Sequence, residues 1–146
     1  MLVSTIVSVI CFSVVILIGL LFAGLYLFRR KFMPYHADAV ERPWSELDKE
    51  IRVLVIALMR VVGGGWLASS LAMSIFVYIF ILNGDLYAAV AIVITGLAVS
   101  IPTLIATLIV KHRSKANPPV FAAILSMVLL LAGLAIVLLS RFSNTL

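Results

Sequence analysis

Apolar residues along this chain fall into four long runs, and polar residues are confined to the gaps between them. The runs are Leu2–Phe28, Val53–Leu82, Leu86–Val110 and about Val120–Leu139. Each exceeds the roughly 18 residues that a helix needs to cross a hydrocarbon core of about 30 Å. Backbone amides have no partner in lipid, so a crossing segment of this kind pairs them internally as a helix. The strict apolar–polar alternation of a membrane barrel strand is absent. The pattern predicts an all-α fold: a four-transmembrane-helix antiparallel bundle forming one integral membrane domain over 1–146. The predicted helices span about 2–28, 53–82, 86–110 and 120–139.

The gaps predict how the runs connect. Asn83-Gly84-Asp85 is turn chemistry, so the second and third runs form a hairpin. The Lys111–Pro119 loop is basic and then stiff at Asn117-Pro118-Pro119, where proline prevents helical continuity. The longest gap, Phe32–Arg52, is punctuated by Pro34 and Pro43. Ser45 stands three places before Asp48, a capping-box-like spacing. Trp44, Leu47, Ile51 and Leu54 recur at helical spacing, with Glu46, Lys49 and Glu50 opposite. This predicts a short interfacial amphipathic helix at about 45–52, between the first two transmembrane helices, with Trp44 as its interface anchor.

Composition agrees with the pattern. Of 146 residues, 64% are hydrophobic and 12% charged, against about 25% charged in a soluble domain. The net charge of +5 is not a nucleic-acid footprint, because the basic residues cluster at the ends of the apolar runs. Nine of the 11 lie in the first and third connections, and the opposite side holds only Arg141. Positive charge favours the cytoplasmic side, so both termini are expected outside. The first run has no basic residue before it and exceeds the apolar core of a signal peptide, so it is expected to remain as a span. Cys11 is the lone cysteine; it excludes an intrachain disulfide and reads as a small core residue. Four small-residue pairs spaced by four, Ser4/Ser8, Gly19/Ala23, Gly96/Ser100 and Ala122/Ser126, predict close helix packing.

One residue breaks the pattern. Arg60 is the only formally charged side chain inside a run, and Gly63, Gly64 and Gly65 follow it. A charge in hydrocarbon costs on the order of 2.5–3.5 kcal/mol on insertion scales. Either its long stem reaches back to the headgroups, or its planar fork of donors faces inward and takes an anionic group. A rotation of 100° per residue puts Arg60, Gly63, Gly64 and Leu67 on one face, where glycine admits a neighbouring helix or a ligand. Three glycines together also weaken the helix, by ~1 kcal/mol each relative to alanine, and suggest a kink or hinge. Tyr35 and His36, just beyond the first run, could line a headgroup-level pocket with Arg60. The alternative for this pair is an interfacial tyrosine and a solvated histidine.

Other chemistries lack their residues. No carboxylate lies inside a run, which disfavours proton-coupled export. No histidine lies inside one to ligate haem, and no His/Cys/carboxylate cluster has metal spacing. No nucleophile–base set suggests itself. The expectation is a non-enzyme without metal or cofactor.

Phe32-Met33-Pro34-Tyr35-His36, then Trp44-x-x-Leu47, then Leu58-Met59-Arg60-Val61-Val62-Gly63-Gly64 resemble a group of small bacterial membrane proteins. These have four helices and an Arg-x-x-Gly-Gly element early in the second, and their architecture is DoxX-like. Arg60, Gly63 and Gly64 are the matching motif positions; the match spans about 32–65. The resemblance implies a four-helix antiparallel bundle in a bacterial inner membrane and no particular activity. The thiol and quinone chemistry of some DoxX-like relatives finds no support, because Cys11 stands alone. The function expected is binding of membrane lipid or of another membrane protein. Arg60, Gly63 and Gly64 would form the ligand site, flanked by Tyr35 and His36. The alternatives are an accessory subunit of a quinone-linked redox enzyme and a small oligomeric transporter or channel.

Overall fold

The computed structural model describes residues 2–143, and among them there are helices, turns and bends but no strand. Five α-helices follow one another: α1 (Leu2–Phe28), α2 (Pro34–Val40), α3 (Lys49–Asn83), α4 (Leu86–Arg113) and α5 (Val120–Phe142). A single 3-10 turn, Trp44–Glu46, lies between α2 and α3. Helices α1, α3, α4 and α5 are long and apolar enough to cross a membrane, which is compatible with a multi-pass integral membrane protein. At 1.5 Å per residue the 35 residues of α3 reach about 52 Å, so this helix outruns its apolar stretch at the Lys49 end.

Local chemistry sets the helix ends. Gly84 closes α3 in the left-handed region at φ 62° and donates its N–H to the Phe80 carbonyl at 2.8 Å. Asp85 then caps α4, its Oδ1 accepting the Tyr87 N–H at 2.8 Å. Lys111, His112 and Arg113 occupy the last turn of α4, where cations suit the negative end of the helix dipole. Arg141 of α5 donates to the Gly84 carbonyl, tying the C-terminal helix to the α3–α4 turn.

The connection after α1 differs from the sequence expectation. Residues 45–52 do not form one helix. Leu47 is extended at ψ 143° after the 3-10 turn, Asp48 takes the N-cap of α3 without a side-chain cap bond, and Lys49 onward belongs to α3. The Ser45–Asp48 pair therefore caps nothing. The separate short helix is α2, which begins earlier. Pro34 supplies a preset φ at its first position. His36 Nδ1 reaches back to accept the Met33 N–H at 3.3 Å. Glu41, left-handed at φ 52°, stops the helix. The Trp44 ring stands edge-on to the buried Phe32, with centroids 5.0 Å apart.

Helix α1 packs on α3 and on α5, and α4 packs on the same two. The core lies toward the Gly84 end. It consists of Phe12, Val15 and Ile16 of α1, Met73, Val77 and Phe80 of α3, Ala88, Ala89, Ile92 and Val93 of α4, and Leu130 and Val137 of α5. The small residues sit at the crossings. Gly19 faces Ser70, Gly96 faces Leu130 and Met73, and Gly133 faces the Phe12 ring. Ser8, Ala23, Ser100 and Ser126 are all buried. Ser8 and Ser126 turn their hydroxyls onto their own helix, at Ser4 O and Ala122 O, each at 2.9 Å. Cys11 is half-buried.

Candidate functional site

Arg60 does not stand alone among acyl-facing side chains. It is half-buried, and its two terminal nitrogens each donate to a carbonyl at the end of α1, Tyr26 O and Arg29 O, both at 3.2 Å. The last carbonyls of a helix lack intrahelical partners and carry its negative dipole end. Arg60 fills that need from the neighbouring helix. Two of its five N–H donors are thereby committed to protein backbone.

The glycines after Arg60 divide in role. Gly63 is buried, and a Cβ there would lie 2.9 Å from Leu27 Cγ and 3.0 Å from both the Leu27 nitrogen and Tyr26 Cβ. It lets α1 and α3 approach at backbone distance, one turn from the Arg60 clasp. Gly64 and Gly65 have open space where a side chain would go. The helix runs through all three without interruption.

Next to this junction lies a cavity of about 590 Å³, on the side of the bundle away from Gly84. Five segments wall it. Ile18, Phe22 and Tyr26 come from α1, and Tyr35, His36, Ala39 and Val40 from α2. The α3 face from Ile51 to Trp66 and the α4 face from Pro102 to Val110 stand opposite each other. Pro118, Pro119, Ala122 and Ala123 complete the wall at the start of α5. Phe22 and Trp66 stack within it, centroids 5.9 Å apart. Ile51, Leu58 and Val62 line the cavity and are still 44%, 56% and 45% exposed, so it opens along the seam between α3 and α4.

Pro102 stands in the α4 wall of the cavity. It lies inside α4 and has no N–H for the Ala98 carbonyl. Thr103 and Thr107 turn their hydroxyls back onto Val99 O (2.8 Å) and Thr103 O (2.9 Å). Proline and back-bonding threonines are both causes of helix bending, and they fall at the level where the cavity begins.

The polar groups of the lining gather at its α2 edge. The hydroxyls of Tyr26 and Tyr35 are hydrogen-bonded to each other. The His36 ring stands edge-on to Tyr35 at 4.4 Å, Phe32 at 6.1 Å and Tyr26 at 6.3 Å. Burial pushes the His36 imidazole below its ordinary value, because charging it there would forfeit hydration. Burial first, and then the Tyr26 hydroxyl, push the Tyr35 phenol up. Both side chains are thus held neutral at physiological pH.

Of the five residues the sequence singled out for a ligand, Tyr35 and His36 line this cavity, whereas Arg60, Gly63 and Gly64 lie outside the lining. Sequence reasoning missed Tyr26, Phe22, Trp66 and the Pro102–Thr107 face. Their signals were a proline inside an apolar run, two threonines spaced by four, and aromatic residues in two runs. Among the described residues no group of His, Cys, Asp and Glu could hold a metal ion. No family model, curated protein or solved structure matches the chain.

Proposed function

We propose that this chain is a non-enzymatic, four-pass antiparallel bundle of a bacterial inner membrane that binds a membrane amphiphile in its α3–α4 cavity. The carrying observation is the cavity itself. Its volume lies within the roughly 300–1,000 Å³ of small-molecule sites, and it pairs an apolar wall with a few convergent polar groups. Residue numbers rise along α1 from Gly19 to Leu27 as those of its α3 partners fall from Ser70 to Gly63, which supports the antiparallel arrangement. Nine cations in the two connections at the cavity end support a cytoplasmic placement of that end and outside termini. The DoxX-like kinship is part of the same proposal.

The original ligand set shifts in this reading. Tyr35 and His36 remain at the site, and Arg60 with Gly63 becomes the junction that holds α1 beside it. The test is native mass spectrometry of the full chain released from mild detergent, alone and as Ala106→Trp. Ala106 lines the cavity and is exposed, so an indole there fills space without displacing core. A bound amphiphile on the parent that is missing from the variant is expected. Equal loading of the two proteins, or an empty parent, would overturn the proposal.

A further inference from the structure

The cavity constrains the charge of its ligand. None of its lining residues is Asp, Glu, Lys or Arg. The one intramembrane cation, Arg60, lies outside the lining and directs two of its five N–H donors to Tyr26 O and Arg29 O. Arg29 directs its Nη1 toward Met33 Sδ at 3.7 Å. A phosphate or carboxylate drawn among Tyr26, Tyr35 and His36 would lose its hydration and meet no opposite charge there, which is strongly unfavourable.

What the edge offers instead is donors. Two hydroxyls sharing one hydrogen bond leave one phenolic proton to give. His36 uses Nδ1 as an acceptor for the Met33 N–H, which puts the ring proton of the neutral imidazole on Nε2. Farther in, Thr103 and Thr107 have spent their protons on backbone carbonyls. Apart from the Trp66 indole N–H, the uncommitted donors are therefore grouped at one edge of an otherwise apolar and aromatic chamber.

Resting on the binding role above, we propose that the ligand is an uncharged, single-tailed amphiphile whose head carries a carbonyl oxygen. The head accepts from the Tyr26–Tyr35 pair and from His36 Nε2, and the tail lies along Phe22 and Trp66. Two membrane sources share that chemistry, a prenylated or alkylated quinone and a glycerol ester. The ring-lined wall accepts either.

Three single-tailed probes separate the possibilities: a decyl benzoquinone, monooleoylglycerol and lysophosphatidylglycerol. Each is titrated into the detergent-solubilised full chain, with binding read by native mass spectrometry. One or both uncharged probes are expected to bind at least about tenfold more tightly than the lysophospholipid. The probe that binds identifies the source. The double substitution Tyr26→Phe/Tyr35→Phe is expected to weaken that binding about five- to tenfold, the size of one hydrogen bond, because either tyrosine alone keeps one phenolic proton to give. His36→Phe, which removes the Nε2 donor, provides a second measurement should the double variant melt early. Binding of the lysophospholipid at equal or higher affinity overturns the proposal, as does uncharged-probe binding that neither of these variants changes. Those results leave the cavity's binding role standing. If Ala106→Trp abolishes no probe's binding, the binding role fails as well.

Discussion

Arg60 and Gly63 are one turn apart on α3, and both meet Tyr26 near the end of α1. The guanidinium takes the Tyr26 and Arg29 carbonyls, and the missing Cβ of Gly63 makes room for Leu27 and the Tyr26 Cβ. The charge that composition marks as costly in lipid thus neutralises another cost, the unpaired carbonyls at a helix end. Glycines 63 and 64 make a sharp comparison. Gly63→Ala forces a methyl against a backbone nitrogen and is expected to destabilise the bundle by about 1–3 kcal/mol. Gly64→Ala meets nothing and is expected to gain up to ~1 kcal/mol from helix propensity alone. Reversible unfolding of both variants in mixed micelles measures the difference, and equal effects would refute the close-approach role of Gly63. The sequence marked Arg60 as exceptional but could not name its partners. Those are backbone atoms 31 and 34 residues away, which no side-chain pattern reports.

The elements that ran as long apolar stretches were legible nearly to their ends. Leu2–Phe28 matches α1, while α3, α4 and α5 each extend past the apolar stretch into polar residues that a hydropathy boundary cuts off. The short helix was not legible, because seven residues provide too few turns for a period to show. Its true signals were Pro34 and the reach of His36 to Met33, and the helical spacing of Trp44, Leu47 and Ile51 was shared between a 3-10 turn and the start of α3. Placement of α2 depends on a neutral His36. Its folded pKa lies below the unfolded value of 6.5, so the unfolded or undocked state binds the proton more readily. Its contribution to docking is fully present above pH 6.5 and declines as pH falls through that value. Limited proteolysis between α2 and α3 should therefore accelerate on acidification from neutral to about pH 5. His36→Gln should flatten that dependence. An unchanged pH profile in the variant would remove His36 from the docking of α2.

Taken as a whole, the bundle is filled at one end and hollow at the other. Phe12, Ile92 and Leu130 are fully buried in the filled half, whereas Val62 in the hollow half is 45% exposed. Hydropathy could not show this asymmetry, since both halves belong to the same apolar runs. What differs is whether side chains meet across the interior, which depends on the packing of the helices. Leu130→Ala should cost about 2–5 kcal/mol, and Val62→Ala well under half of that, because its side chain supports no packed layer. Thermal unfolding in one detergent compares the two, and similar losses would contradict an uneven interior. Lys115 and Glu41 join the α4–α5 loop to the end of α2 at 3.7 Å, but with side chains 90% and 70% exposed they add little.

The seam between α3 and α4 gives way only over the half of its length that lies away from Gly84. For a protein seated across a bilayer with that half toward the cytoplasm, the doorway faces a single monolayer. Traffic through it would follow the composition of that leaflet and ignore the other. In vesicles with differently labelled leaflets, the occupant would carry the label of the monolayer beside the doorway.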